Sequence, residues 1–251
     1  EHPLIENIYK TLTESTKVPE ESAKRLGEGL AAIITARVNE SRDRGFTLRM
    51  SNLGKGARQL WYEKHFEPEE KLEGHTLLKF LIGDITESTL LFLAEIAGHK
   101  VTNTQDEVSL AGIKGHIDAE IDGVTVDVKS ASAFAFKKFK NGTLSEDDPF
   151  GYIEQIAGYS KARDTAGAFL AMDKTTGHLA YLEYPKEELH VFDIEGRIGY
   201  LKEVLDKPEI PDRSGLRPAG DRRLPRRRRI HSADPARKSR AGCSDRYDQN
   251  R

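Results

Sequence analysis

The sequence contains a single cysteine, Cys243, among its 251 residues. One cysteine excludes an internal disulfide framework, and it excludes any zinc or iron–sulfur centre built only from cysteines of this chain. No apolar run approaches the roughly 18 residues that a membrane-spanning helix needs, so no membrane partner is expected. The scarcity of cysteine predicts an intracellular protein in a reducing compartment, the cytoplasm.

The net charge of −2 conceals two oppositely charged parts. Residues 213–251 hold 13 of the 39 basic residues and 4 of the 41 acidic residues, so their net charge is +9. Residues 1–212 hold the remaining 26 basic and 37 acidic residues, so their net charge is −11. The basic part is rich in Arg and Pro and has no apolar periodicity, so we expect residues 213–251 to be a disordered tail. A solvated tail, a nucleic-acid-binding arm and a shifted reading frame all remain open interpretations of it.

Residues 1–212 show the apolar periodicity of one folded α/β domain that begins with a helical segment. Spacings of three and four predict helices at about 21–41, 51–62, 74–97, 149–163 and 186–206, with Ser51 as the N-cap of the second. Runs of β-formers predict strands near 99–104, 108–121, 124–130, 166–172 and 178–184. This order predicts a mixed β-sheet flanked by helices.

The informative segment is a predicted hairpin with Asp122-Gly123 as its two-residue turn. In the register that this turn sets, residues 117, 119, 121, 124, 126 and 128 form an apolar face, and the alternate positions form a polar face. The same register places Asp118 opposite Asp127, and Lys129 lies on the same polar face. Because like charges across a ladder destabilise the pair, a proton or a cation must compensate them.

Two interpretations of this polar face are open. A pair of carboxylates beside an ammonium is suited to hold a hard cation such as Mg²⁺ and to orient a water molecule. The alternative is the ordinary solvated face of an antiparallel hairpin.

Four motifs resemble those of the PD-(D/E)XK nucleases, in the order of that family. Asp118 with the sequence DVK at 127–129 resembles the family's core motif, and GDITE at 83–87 resembles its first motif, with Glu87 as the helical glutamate. The sequence QIAGY at 155–159 is similar to the Gln-x-x-x-Tyr motif of the RecB-type branch. MSNL at 50–53, followed by Arg58, is similar to the N-terminal segment of that branch. The resemblance covers about residues 48–205 and points to phage-encoded exonucleases.

The resemblance implies a restriction-endonuclease-like core and a DNA exonuclease dependent on Mg²⁺ or Mn²⁺. It implies these metal ligands: Glu87, Asp118, Asp127 and the carbonyl of Val128. Lys129 is expected to orient or deprotonate the attacking water, and Gln155 and Tyr159 are expected to position the site or the DNA. Ser51 and Arg58 become candidate DNA contacts.

Other expectations follow from the same resemblance. Some relatives hold an iron–sulfur cluster, but Gly56 stands at the first cysteine position here, so no cluster is expected. The expected partners are single-stranded DNA or duplex ends, with recombination or replication proteins, in the host cytoplasm if the gene is phage-encoded. Outside the resemblance, Glu87 and Arg58 are also consistent with surface residues, and Gln155 and Tyr159 with a structural pair. A DNA-binding or bridging protein of the same fold that does not cleave is the alternative function.

Residues 134–140 read FAFKKFK and interleave aromatic side chains with lysines. Aromatic platforms and cations suit single-stranded nucleic acid, whose bases stack and whose phosphates pair with lysine. The segment therefore adds three candidate DNA contacts, Lys137, Lys138 and Lys140. The alternative is an aromatic edge in the core with a solvated lysine edge.

Overall fold

The computed structural model of the protein describes residues 2–39, 45–66 and 72–212. The helices are α1 (Pro3–Thr13), α2 (Glu20–Asn39), α3 (Ala57–His65), α4 (Gly74–Ile96), α5 (Ala133–Asn141), α6 (Tyr152–Arg163), α7 (Lys186–Leu189) and α8 (Ile194–Leu205). Short 3₁₀ turns lie at Met50–Asn52 and Leu144–Glu146. The tail predicted at residues 213–251, with Cys243, lies outside the described residues, so its disorder and the boundary at Asp212 stay predictions.

The strands form one mixed five-stranded sheet and a separate hairpin. The strands are β1 (Val101–Thr102), β2 (Glu107–Leu110), β3 (Ile113–His116), β4 (Ala119–Ile121), β5 (Val124–Ala131), β6 (Gly167–Asp173) and β7 (Leu179–Tyr184). The large sheet has the order β1-β4-β5-β6-β7, in which β5 and β6 are parallel and the other pairs antiparallel. This arrangement confirms the predicted α/β fold with a mixed sheet flanked by helices.

Helices cover both faces of the sheet, and each face has its own apolar core. Strand β6 shows this directly, because Ala168 and Leu170 belong to one core while Phe169 and Ala171 belong to the other. The first core includes side chains of α1 and α4, and the second includes those of α3, α5, α6 and α8. A strand buried on both faces reads as a continuous apolar run, as β6 does.

The hairpin turn at Asp122-Gly123 is confirmed. Both residues have positive φ, 51° and 85°, which two-residue hairpin loops of this kind require. The predicted pairs of residues 119 with 126, 120 with 125 and 121 with 124 are all present. The helix predicted at 74–97 is also confirmed, as α4.

Several predicted elements are corrected by the structure. The strand predicted at 108–121 is three strands. Ala111 and Gly112 both adopt positive φ and turn the chain between β2 and β3, and residues 117 and 118 separate β3 from β4. The helix predicted at 186–206 is divided into α7 and α8. Ser51 is not the N-cap of a long helix, since it lies in the 3₁₀ turn and α3 begins only after Gly56.

The sequence prediction missed two helices, α1 and α5. Helix α5 contains the whole aromatic and lysine segment, and the hydroxyl of Ser132 caps it by accepting from the Ala135 N–H.

Among the described residues, none of the helices combines the length and the apolar character needed to cross a bilayer.

Candidate active site

Asp118 and Asp127 lie side by side where β4 and β5 meet. The Val128 N–H donates to Asp118 Oδ2 over 2.7 Å, so this carboxylate bonds to the strand that carries Asp127. The last regular pair of the β4–β5 ladder on this side is Ala119 with Val126, so Asp118 and Asp127 lie one position beyond it. The predicted proximity is confirmed, although the contact is made through a side chain rather than by a regular strand pair.

The alternation of faces predicted for this hairpin holds on β5 but fails before β4. Val126 and Val128 pack with α1 and α4, while Asp127 and Lys129 reach contacts on the α6 side. Ile117, predicted on the same face as Val126, belongs instead to the core on the α6 side. The reason is that β3 ends at His116, so residues 117 and 118 do not follow strand geometry.

Lys129 supplies a positive charge directly beside Asp127. Its Nζ lies 2.6 Å from Asp127 Oδ2 and 4.5 Å from the centre of the Tyr152 ring. Asp127 is 2% exposed, and its Oδ2 has this ion pair but no well-directed hydrogen bond. Burial alone would lower the pKa of Lys129, but the carboxylates of Asp127 and Asp118 raise it above its usual value. Lys129 is therefore held as an ammonium, which donates hydrogen bonds and has no lone pair to accept a proton.

Burial and charge act on Asp118 in the opposite sense. Its burial raises the pKa of the carboxyl well above the usual value, and the charges of Asp127 and Glu87 raise it further. The two like charges are therefore compensated in both of the predicted ways. Lys129 supplies a positive charge, and Asp118 tends to take up a proton.

Glu87 is held on α4 by a partner that the sequence did not reveal. Gln105 Nε2 donates to Glu87 Oε1 over 2.6 Å. Burial raises the pKa of Glu87 to about 7, with further contributions from the charges of Asp127 and Asp84. Asp84, one turn earlier on α4, pairs with Arg37 of α2 at 2.5 Å. The negative charge of Asp127 thus makes the ionised form of Glu87 less favourable, so the two carboxylates interact electrostatically.

The described part of the chain contains no group of three or more His, Cys, Asp and Glu side chains arranged to hold a metal ion. The convergence of Glu87, Asp118 and Asp127 on one point therefore stays a prediction. Like charges at short range repel, and here Asp127 pairs with Lys129 while Glu87 bonds to Gln105.

The chemistry of the donor set nevertheless fits a divalent cation. The site has three acidic side chains, Glu87, Asp118 and Asp127, and one ammonium. Neighbouring negative charge contributes to the raised pKa values of Glu87 and Asp118. The Asp127 Oδ2 atom is buried, and its partner is the Lys129 ammonium rather than a well-directed hydrogen bond, so this oxygen can also take a cation. Hard cations with oxygen ligands satisfy both needs. The Val128 backbone enters the site in this structure as a donor to Asp118, and its carbonyl stays a predicted ligand.

Gln155 and Tyr159 lie one turn apart on α6, next to Asp127. Gln155 Nε2 donates to Asp127 Oδ1 over 3.0 Å, and both residues are buried. Burial raises the pKa of Tyr159 to about 12, the charge of Asp127 contributes, and a hydrogen bond with Gln155 opposes the rise. The structure thus brings the predicted Gln-x-x-x-Tyr pair to the predicted carboxylate.

The N-terminal motif reaches α6 through its backbone turn. A Cβ added to Gly115 would lie 2.7 Å from the Tyr159 ring and 2.9 Å from Met50, so turn, strand and helix meet there. Ser51, in this turn, is exposed. Arg58 lies further along, on α3, where its guanidinium stands 5.7 Å from the Tyr62 ring and donates to the Pro211 carbonyl. Their roles in DNA binding stay predictions.

Helix α5 decides between the two interpretations of the aromatic and lysine segment. Phe136 and Phe139 are buried in the core, so they are not platforms for bases. Lys137 and Lys140 are exposed, while Lys138 pairs with Asp147 at 2.6 Å. The core interpretation holds for these two rings because a helical period of 3.6 directs them to one side, and the lysines stay candidate contacts.

Sequence reasoning missed two residues of this site, Gln105 and Tyr152. Gln105 precedes β2 with a positive φ of 57°, and nothing in its local sequence marks it as a partner of Glu87. Tyr152 stands one turn before Gln155 on α6, and that spacing was a usable signal, since residues three apart share a helix face.

No family model and no curated protein matches the chain. Solved structures resemble it at low identity, among them two exonucleases. A phage-related exonuclease from Haemophilus somnus has 13% identity and a TM-score of 0.42, over 65% of this chain and 95% of its own. The alkaline exonuclease LHK-Exo from Laribacter hongkongensis has 16% identity and a TM-score of 0.34, over 74% and 92%. The same enzyme in complex with dAMP has 14% identity and a TM-score of 0.39, over 62% and 92%.

Proposed function

We propose that the protein is a deoxyribonuclease that hydrolyses DNA phosphodiester bonds with the help of Mg²⁺ or Mn²⁺. The observation that carries this proposal is the buried Asp127, fixed by Gln155 on one oxygen and facing Lys129 with the other. Asp118 adjoins it through Val128. A buried group with more negative than positive charge destabilises a fold, so its presence calls for a functional reason.

The residues have distinct roles in this proposal. Glu87, Asp118 and Asp127, with the Val128 carbonyl, would hold the cation. A divalent cation at such a site lowers the pKa of a bound water and stabilises charge on the phosphate. Gln155 fixes the orientation of Asp127 by donating to Oδ1, and Tyr159 supports Gln155.

Lys129 is assigned to orientation and charge, not to deprotonation. Its raised pKa keeps three N–H donors on Nζ, which orient a water and neutralise negative charge on the phosphate. In the overall hydrolysis a water oxygen bonds to phosphorus, the bond from phosphorus to the leaving sugar oxygen breaks, and that oxygen receives a proton originating from water.

An exonuclease is preferred to an endonuclease because of the branch that the sequence motifs resemble. Duplex ends or single strands are the proposed substrates, and Ser51, Arg58 and the exposed Lys137 and Lys140 are proposed to contact phosphates. Such contacts add affinity without reading sequence, as a degrading enzyme requires.

A gel assay tests the proposal directly. The full chain is incubated with linear DNA and with covalently closed circular DNA, in Mg²⁺, in Mn²⁺ and in chelator. We expect degradation of linear DNA only, and only with metal. Degradation of the circles would reject an exonuclease but keep a nuclease.

The Asp127→Asn variant assigns the activity to this site. It keeps the shape of the side chain and an oxygen for Gln155, so we expect loss of cleavage with DNA binding retained. The matched control is Asp206→Asn, at a solvent-exposed ion pair with Lys64, which should cleave normally. Binding without cleavage by the unmodified protein, at every metal concentration, would favour the non-cleaving alternative. The Lys129 ammonium on Asp127 is the observation that keeps this alternative in view.

A further inference from the structure

An exposed aromatic ring lies beside the candidate site and takes no part in the roles given above. Phe150 precedes α6, is 61% exposed, and stacks on Tyr152 with ring centres 5.4 Å apart and planes at 27°. Single exposed apolar side chains are common on protein surfaces, so exposure alone means little. The position of this ring relative to Lys129 is what sets it apart.

The Phe150 ring is connected to the carboxylates by a short series of contacts. Tyr152, on which it stacks, also lies 4.5 Å from Lys129 Nζ, and Nζ lies 2.6 Å from Asp127. With 5.4 Å between the two rings, the Phe150 ring centre is at most 9.9 Å from Nζ. A nucleotide whose phosphate contacts Lys129 can therefore reach this ring with its base.

The loop that carries Phe150 is fixed from two sides. Asp148 Oδ2 accepts from the Ile153 N–H over 2.8 Å and so caps the start of α6. Gly151, with φ of +72°, packs so tightly on Gly54 that an added Cβ would lie 2.2 Å from the Gly54 Cα. Because the loop is already ordered before binding, less conformational entropy is lost when a ligand binds.

We propose that Phe150 is a stacking platform for a nucleobase of the DNA strand, backed by Tyr152, next to the phosphate held at Lys129. This inference rests on the proposed function, since it assumes a DNA substrate. An aromatic face accepts every base, because each base has a π-face, and this suits an enzyme that degrades DNA of any sequence. One side of the Phe150 ring is already stacked in an offset arrangement, and the exposed remainder is available to a base.

Phe134 is another strongly exposed aromatic residue near this loop, at 73%. Its ring is 5.4 Å from the Lys138 ammonium, and Lys138 pairs with Asp147. The contacts of Phe134 thus lead to the loop and not to the carboxylates, so Phe150 is the better placed of the two.

The test measures binding of a single-stranded oligonucleotide with 2-aminopurine near its end, in chelator, so that no strand is cut. We expect the full chain to quench the probe by stacking. Phe150→Ala should lose the quenching and weaken binding by roughly 5- to 150-fold, the range expected for one base–aromatic stack. Phe150→Trp should restore both. The matched control is Phe66→Ala, which removes a ring of similar exposure, 59%, that packs at a tilt against Tyr62 in another aromatic cluster, and should bind normally.

An abasic oligonucleotide separates stacking from a structural effect. When the base at the stacking position is absent, the unmodified protein and Phe150→Ala should bind equally, because the lost interaction is the same in both. Placing the abasic site at each of the terminal nucleotides in turn finds that position. If Phe150→Ala is weaker by the same factor on every abasic oligonucleotide, the ring acts through folding and the inference is overturned.

The outcomes distinguish this inference from the proposed function. Absence of probe quenching by the unmodified protein, or unchanged binding by Phe150→Ala, rejects the platform even if the protein degrades DNA. Quenching that depends on Phe150 in a protein that never cleaves DNA supports the platform and rejects the nuclease.

Discussion

Replacement of Glu87 by glutamine should stabilise the metal-free protein, in contrast to most substitutions of partly buried polar residues. Burial, followed by the charges of Asp127 and Asp84, raises the pKa of Glu87 to about 7. The ionised carboxylate is therefore less favourable in the folded state than in the unfolded chain. Glutamine has the same size, carries no charge, and keeps an oxygen that can accept from Gln105.

The sign and size of this effect depend on pH. Well below pH 4.5, the usual pKa of glutamate, the group is protonated in both states and contributes nothing. Between 4.5 and about 7 the unfolded state loses its proton first, so the stability of the unmodified protein falls as the pH rises. Above about 7 the full difference is reached, and at 1.36 kcal/mol per pKa unit it amounts to about 3 kcal/mol.

Urea unfolding in chelator measures this difference. At pH 8.5 the Glu87→Gln variant should be more stable by about 3 kcal/mol, and at pH 4.5 by less than about 0.5 kcal/mol. The matched control is Glu95→Gln on the same helix, which removes only a surface ion pair with Arg25 and should change stability by less than about 1 kcal/mol at either pH.

Two results would refute the reasoning. A Glu87→Gln variant that is no more stable at pH 8.5, or a gain that is the same at both pH values, would mean that Glu87 is not crowded by burial and negative charge. The added metal provides a second check, because Mn²⁺ should raise the unfolding midpoint of the unmodified protein more than that of the variant, which has lost a ligand.

Three further predictions concern the rest of the site and the chain end. Lys129→Met leaves Asp127 as an unpaired buried charge, so urea unfolding should show a loss of about 3 kcal/mol in the free energy of unfolding. Added Mn²⁺ should partly restore this stability, and a loss that metal does not reduce would argue against a cation site. Gly151→Ala forces an L residue to a φ of +72° and against the Gly54 backbone, so the free energy of unfolding should fall by about 2 kcal/mol or more. An unchanged free energy of unfolding would contradict the tight approach of the two glycines. A protein ending at Asp212 should keep its thermal unfolding midpoint and its cleavage, while a shallower salt dependence of DNA binding would identify residues 213–251 as an electrostatic arm.

The sequence by itself determined the local features of the hairpin. Asp122 and Gly123 tolerate the positive φ of a two-residue turn, and that turn fixes every pair along β4 and β5. Because the pairs follow by counting, the nearness of Asp118 and Asp127 could be predicted without coordinates. The apolar period of α4 likewise placed Glu87 on a helix.

The tertiary structure alone decided how the charges of the site are balanced. Lys129 pairs with Asp127 and with the Tyr152 ring, and Gln105 bonds to Glu87 across 18 residues of chain. Such contacts depend on side-chain directions after distant elements have packed, and nothing in the local sequence of Gln105 encodes its bond to Glu87. The same holds for helix α5, where the alternating aromatic and lysine letters suggested a binding surface. Burial in the core is a property of the assembled sheet and helices, so only the packed structure could show which rings face inwards.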